Sequence, residues 1–245
     1  MRNRQAADWE ELARREPYYA VLTDEQFLGA GATPEFFATG EADIASLLAA
    51  AASLLGREVS LGSALDFGCG VGRLTIPLAR RALHVVGCDV APTMLAHARR
   101  HAEAAGLRNV ELIESHALSS LPPNFDFACS LLVLQHIPPA AGYAIVRTII
   151  TRLAPGGVAA LHVTLSRPGG RLRRLTRAVR ARSPFVHRII SVLQRDPLRL
   201  PYMQMNEYDE RIVQREIAAG GGRLAGRIAT QHAEVSGAIL IVERP

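Results

Sequence analysis

The chain has 245 residues, 49% of them hydrophobic, and a formal charge of +5 in which all 28 Lys+Arg residues are arginine. This length and apolar content suit one buried domain with an elaboration and exclude a disordered or fibrous chain. Nine arginines and no acid fall in residues 167–195, leaving 19 arginines against 23 acids elsewhere, so the basicity belongs to one segment and not to the fold.

The opening stretch, MRNRQAADWEELARREP, is polar and lacks the apolar core of a signal peptide. Tyr18, Tyr19, Phe36 and Phe37 precede the first strand and form either a lid over a ligand or packing at a sheet edge. Thr39 reads as the cap of a helix with Glu41 in its first turn; Ile44, Leu47, Leu48, Ala51, Leu54 and Leu55 share one face, and Gly56 ends it. The apolar run 44–55 is too short to span a bilayer. The run 64–67 is then a strand, 73–80 a helix, 83–88 a strand, 92–105 a helix and 110–114 a strand. Another strand (126–132), a helix (140–153), an APGG break and a strand (158–165) follow. A helix over 206–219 and two mutually antiparallel strands near 223–230 and 236–243 close the chain. Such alternation predicts a parallel α/β sheet with helices on both faces. The stretch 166–205 interrupts it as an inserted lid. The expected division is an N-terminal helical or lid segment, 1–43, and a domain over 44–245.

The chemistry centres on ALDFGCGVGRLT, residues 64–75, where a strand meets a glycine turn and a helix. The spacing is D-x-G-x-G-x-G from Asp66 to Gly72, and the sixth position from Gly68 is Arg73, so the nicotinamide-type G-x-G-x-x-G is not matched. Asp89 closes the second strand, where a carboxylate can accept both hydroxyls of a ribose or cap the next helix. His136, in LLVLQHIPP, follows the fourth strand near the carboxyl ends of the strands, where ligands sit. It serves either as a general base or as a residue that caps a helix or bonds a carbonyl; an ordinary imidazole acting as base would give a pH–rate profile rising through about 6–7. His162 lies inside the fifth strand as a core or pocket-wall residue. No cluster has metal-ligand spacing, so no metal is expected. Cys69, Cys88 and Cys129, an odd set without a CxxC pair, read as reduced thiols of a cytoplasmic protein.

With these motifs in order, the sequence resembles a class I S-adenosylmethionine (SAM)-dependent methyltransferase. LDFGCGVGR resembles the first motif, GCDVAPTML the second, FDFACSLLVLQHIP the segment around the fourth strand and LAPGG the turn before the fifth, together covering roughly residues 60–165. The resemblance implies a Rossmann-like, doubly wound seven-stranded sheet, mostly parallel with the last strand antiparallel. It implies that Asp66, Gly68, Gly70 and Gly72 surround the methionine part of SAM, that Asp89 holds the ribose, and that Val90 and Met94 pack on adenine. Cys69 and Leu131 join the cofactor set. Many members have an Asp after the third strand that bonds adenine; here His116 stands there, with Ala117 beside it.

The acceptor is a small molecule. Tyr18, Tyr19, His162, Tyr202, Met203 and Met205 are its candidate contacts. In the arginine segment Leu172, Leu175 and Val179 share a helical face. Its residues 171–182 face solvent, grip an anionic acceptor, or touch an anionic membrane or lipid. Without aromatic interleaving, nucleic acid is not expected. His136, and the lack of an N-methyltransferase-type Asn/Asp-Pro-Pro-Tyr/Phe motif, favour O-methylation of a sugar-like or secondary-metabolite hydroxyl. C- or N-methylation of a small or lipid-like molecule, and SAM binding without catalysis, stay open, as do monomer and homodimer.

Overall fold

A computed structural model describes residues 2–29, 31, 33–122, 124–167, 200–232 and 235–245. Most of the expected lid, including residues 171–182, Leu172, Leu175 and Val179 and all its arginines but Arg167, lies outside the described residues.

The polar opening is a helix, α1 (Arg2–Arg15). Glu10–Arg14 and Glu11–Arg15 pair across one turn at 3.0 and 3.1 Å, while Leu12 and Ala13 are buried. A short α2 (Pro17–Val21) follows. The next helix, α3 (Pro34–Leu55), starts earlier than the sequence reading placed it. Thr33, not Thr39, is its cap: the Thr33 hydroxyl accepts the Phe36 N–H at 3.3 Å, and Pro34 sits at the first helical position. Thr39 lies inside the helix, its hydroxyl donating to the Phe36 carbonyl. The boundary expected at 43/44 therefore falls within α3. By length and composition α3 could cross a membrane; here Ile44, Leu47 and Ala51 are buried against the sheet, and Asp43 pairs with buried Arg73 at 2.6 Å.

The sheet runs β1 (Ser63–Phe67), β2 (His84–Asp89), β3 (Val110–Glu114), β4 (Phe125–Ser130), β5 (Leu153–Ser166), β6 (Arg223–His232) and β7 (Val235–Glu243). Helices α4 (Thr75–Ala79), α5 (Pro92–Ala104), α6 (Pro139–Arg152) and α7 (Glu210–Ala219) complete the fold. The strand order is β3-β2-β1-β4-β5-β7-β6. The first five strands pair in parallel, and β7 runs antiparallel to both β5 and β6. One core, with Phe125, Leu134, Ile149 and Val213, lies on one face. A second, with Ile44, Leu78, Val85 and Phe127, lies on the other. A third joins Leu12, Tyr18 and Phe36 of the N-terminal helices to Val71, Ala91 and Met94 at the end of the sheet. The chain leaves β1 for β2 and β3, then returns to β4 on the other side, so the crevice of this topology opens between the carboxyl ends of β1 and β4.

Candidate active site

The glycine turn sits at that crevice. Gly68, Gly70 and Gly72 have φ of 78°, 53° and 92°, a region side chains rarely adopt. The Gly68 and Cys69 N–H groups donate to the Cys88 carbonyl at 2.8 and 3.0 Å, which ties the turn to β2. Space above it is tight: a Cβ at Gly68 would lie 2.4 Å from Val133, and one at Gly70 would lie 2.7 Å from Val21. Asp89 holds the turn from the side. One carboxylate oxygen accepts the Gly70 N–H and the other the Ala91 N–H, both at 2.9 Å. Burial raises the Asp89 pKa against those two donors. Asp89 does not cap α5 with a first-turn bond; that position is Ala91. Instead Glu10 of α1 accepts the Thr93 N–H and hydroxyl at 3.1 and 2.6 Å, capping α5 from another helix.

Beyond β4 the backbone is strained at Leu132, whose φ of 61° is the one positive value at a non-glycine among the described residues. The strain lies between Leu131 and the 3-10 turn Leu134–His136. The segment 204–208 straps this turn. The Asn206 side chain donates to the Gln135 carbonyl at 3.1 Å, and the Tyr208 hydroxyl sits 2.8 and 2.9 Å from the Leu134 and Ile137 carbonyls. His136 Nδ1 lies 2.6 Å from the Gln204 carbonyl. A carbonyl only accepts, so Nδ1 carries the proton and Nε2 is the bare, basic nitrogen. Burial, with Arg167 adding to it against the Gln204 bond, pushes the His136 pKa down to about 4. The ring is therefore neutral throughout the physiological range, and an acid limb set by it falls near 4 instead of 6–7. The ring edge packs on Trp9 at 5.0 Å between centroids, and Gln5 donates to the His136 carbonyl. Gln5, Asp8, Trp9, Leu12, His136, Tyr202, Met203 and Gln204 line one cleft.

Residues 64–157 match the family model described as a methyltransferase domain. That stretch is similar to a methyltransferase domain and covers less than half of the chain. A ubiquinone biosynthesis O-methyltransferase of Methylocella silvestris is 40% identical over 95 residues, 38% of this chain and 36% of that protein. The match thus spans little more than a third of that relative's length. Magnesium protoporphyrin IX methyltransferase of Synechocystis, solved with bound SAH, has the same fold, with a TM-score of 0.63 at 19% identity over 97% of both chains. A 4+2 cyclase also shares it, with a TM-score of 0.55 at 19% identity over 80% of each chain, so fold by itself does not fix the reaction.

The crevice offers groups that fit SAM. The Gly70 and Ala91 N–H groups take one position on each Asp89 oxygen and the Val90 N–H also bears on the carboxylate; its remaining lone-pair capacity would meet the ribose hydroxyls. Val90, 40% exposed, would give adenine an apolar surface, and the backbone of Gly68 and Gly70 would meet the methionine end. Other expected cofactor contacts sit elsewhere. Asp66 is 1% exposed behind the turn, accepting the Thr75 hydroxyl at 2.7 Å, so it supports the turn and does not line it. Burial pushes its pKa up to about 6. Cys69 is buried, its Sγ 3.8 Å from the Gly70 carbonyl, and Met94 is packed in the third core. Leu131 packs half-buried on the second core. The His116 side chain is 79% exposed and pairs with Glu114 at 3.3 Å, and Ala117 is half-buried.

On the acceptor side the structure brings His136, Tyr202 and Met203 together in the cleft. It does not bring the others there. Tyr18 is buried, its hydroxyl 3.0 Å from His101, and Tyr19 packs beside it in the third core. His162 is buried and reaches Thr230 of β6 at 3.1 Å. Met205 lies outside the cleft lining; its carbonyl accepts from Arg167 at 2.7 Å. Sequence reasoning missed Gln5, Asp8, Trp9, Gln135 and Gln204. The signal for α1 was there: Trp9, Leu12 and Ala13 at helical spacing, with two Glu–Arg pairs on the outer face. Among the described residues no group of three or more His, Cys, Asp or Glu could hold a metal.

Proposed function

We propose that this protein moves a methyl group from SAM to a hydroxyl of a small-molecule acceptor, with His136 as the base. One observation carries the reading. A neutral imidazole, its protonated nitrogen held by a backbone carbonyl, lines a cleft beyond β4, beside the glycine turn that Val133 touches. When bound, SAM supplies a methyl already activated by the sulfonium charge. The chain then has to orient the acceptor, exclude water and take one proton. His136 Nε2 is the atom that takes it. Trp9, Leu12, Tyr202 and Met203 give the acceptor flat and apolar walls, so a ring or chain bearing a hydroxyl suits the cleft better than a bare sugar. α1, laid across the cleft by Gln5 and across α5 by Glu10, keeps water out. The O-methyltransferase names of the curated relatives support the same acceptor atom.

The test is turnover of labelled SAM against a panel of hydroxyl, amine and carbon acceptors, with wild type and His136→Ala. The reading expects a methyl ether product and a kcat lower by about 10²–10⁴-fold in the variant, with SAM affinity unchanged. Methylation at carbon or nitrogen, or an undiminished kcat, overturns it.

A further inference from the structure

The groups around His136 form a chain in which each link dictates the next. The Gln204 carbonyl can only accept, so His136 Nδ1 carries the proton. Nε2, now only an acceptor, lies 3.1 Å from the Gln135 side-chain amide. That amide must present its NH2, which leaves its carbonyl oxygen facing the other way. There the Thr164 hydroxyl sits at 3.0 Å and has to donate. Thr164 is fully buried on β5, and Gln135 is 8% exposed. The reverse amide orientation would set two acceptors face to face at Nε2. A surface glutamine would carry no such information; a buried one clamped between a strand hydroxyl and an imidazole does.

We infer that Gln135 is a positioning residue for His136, with Thr164 setting its amide. Together they hold the ring with Nε2 bare and keep that nitrogen hydrogen-bonded until an acceptor hydroxyl takes the place of the amide. The inference rests on the proposed role of His136 as base. It explains why a buried imidazole can wait in the cleft without an unsatisfied nitrogen, which would otherwise be unfavourable. The other ionisable groups around the ring are Asp8 on α1, Tyr202, and Arg167 at the end of β5; Arg167 favours the neutral ring.

The test reads the ring directly and then the rate. Nitrogen-15 NMR of the full-length protein should show His136 with Nδ1 protonated and Nε2 bare at neutral pH. Gln135→Glu replaces the donor at Nε2 with a carboxylate, so the ring should become doubly protonated at neutral pH. The acid limb of kcat should move from about 4 to above neutral pH, a rise of about three units, with activity returning at high pH and the KM for SAM unchanged. Thr164→Val should mix the tautomers and lower kcat, and Thr164→Ser should restore both. A wild-type ring protonated at Nε2 alone overturns the inference. So does a Gln135→Glu ring that stays neutral with its acid limb in place. If Gln135→Glu does not fold, the Thr164 pair decides: a valine variant with the wild-type ring state and pH profile sinks it. Failure of the base reading looks different, since His136→Ala would then keep its activity while the tautomer result stands.

Discussion

Asp89 is the residue on which cofactor binding should turn. Its carboxylate already orders the glycine turn through Gly70 and the entry to α5 through Ala91. Asp89→Ala should weaken SAM binding by about 2–4 kcal/mol, the worth of two charge-assisted bonds, and calorimetry on the folded variant measures it. Unchanged affinity would remove Asp89 from the ribose. His136 makes a prediction of another kind. Burial lowers its pKa to about 4, so the kcat profile should be flat from neutral down to about pH 5 and fall only below that. A limb near the ordinary histidine value of 6.5 would mean that the ring is solvated during turnover. The placement of both residues at strand ends was legible in the sequence, because an alternating α/β pattern fixes where strands end. The partners of His136 were not. Gln204 acts through its backbone carbonyl and Gln135 through a bond to its own neighbour, and neither leaves a mark in residue type or spacing.

Elements show the same division. Apolar runs located β1, β2, β4 and the later part of β5, because parallel strands buried on both faces are apolar throughout, whereas the start of β5 at Leu153 read as helix end and turn. Helix starts were harder. Thr39 read as the cap, which put 34–39 ahead of the helix, yet α3 runs through them; Gly40 within it has no side chain because the Arg73 carbonyl passes there, 2.0 Å from a Cβ. Residues 206–209 read as the start of a helix, but that helix begins only at Glu210, since Asn206 and Tyr208 are bonded to the 134–137 turn. Gly142 of α6 makes room for this strap: a Cβ there would lie 1.8 Å from the Tyr208 hydroxyl. Gly142→Ala should therefore destabilise the fold by about 1–3 kcal/mol through overpacking, and should lower kcat by loosening the turn that carries His136. Urea unfolding and turnover together check this, and a variant as stable and active as wild type would show that Tyr208 does not hold the turn. At the other end, Glu10→Ala removes the cap that α1 lends to α5 and should lower stability by about 1 kcal/mol. A melting temperature equal to wild type would mean that α1 is not docked on α5 through Glu10.

At the scale of the whole molecule, burial at the crevice sets two opposing pH dependences. His136 is held below its unfolded pKa, from 6.5 to about 4. Its contribution to stability is complete above 6.5 and is lost as pH falls toward 4, because the unfolded chain takes up the proton first. Asp66 is held above its unfolded value, from 3.8 to about 6. Its contribution is present below 3.8 and lost as pH rises through 6, and Asp89, also raised by burial, has the same sign. The His136 and Asp66 shifts each correspond to about 3 kcal/mol at full size. Between pH 4 and 6 the His136 slope opposes those of Asp66 and Asp89, so the wild-type curve should lie between the curves of variants that lack one side or the other. The lowered carboxylates Glu41 and Glu243, each paired with two arginines, add their dependence only below about 4.5. His136→Asn, which can keep a donor toward the Gln204 carbonyl, removes one slope and leaves the other. Its stability should fall by up to about 3 kcal/mol as pH rises from 4 to 6. Asp66→Asn should do the reverse, gaining stability over the same range. Urea midpoints at steps of pH through this window separate the three proteins. If all three give parallel curves, the imidazole and the carboxylate are solvated, and the dry crevice that makes His136 neutral and Asp66 a support for the glycine turn does not exist in solution.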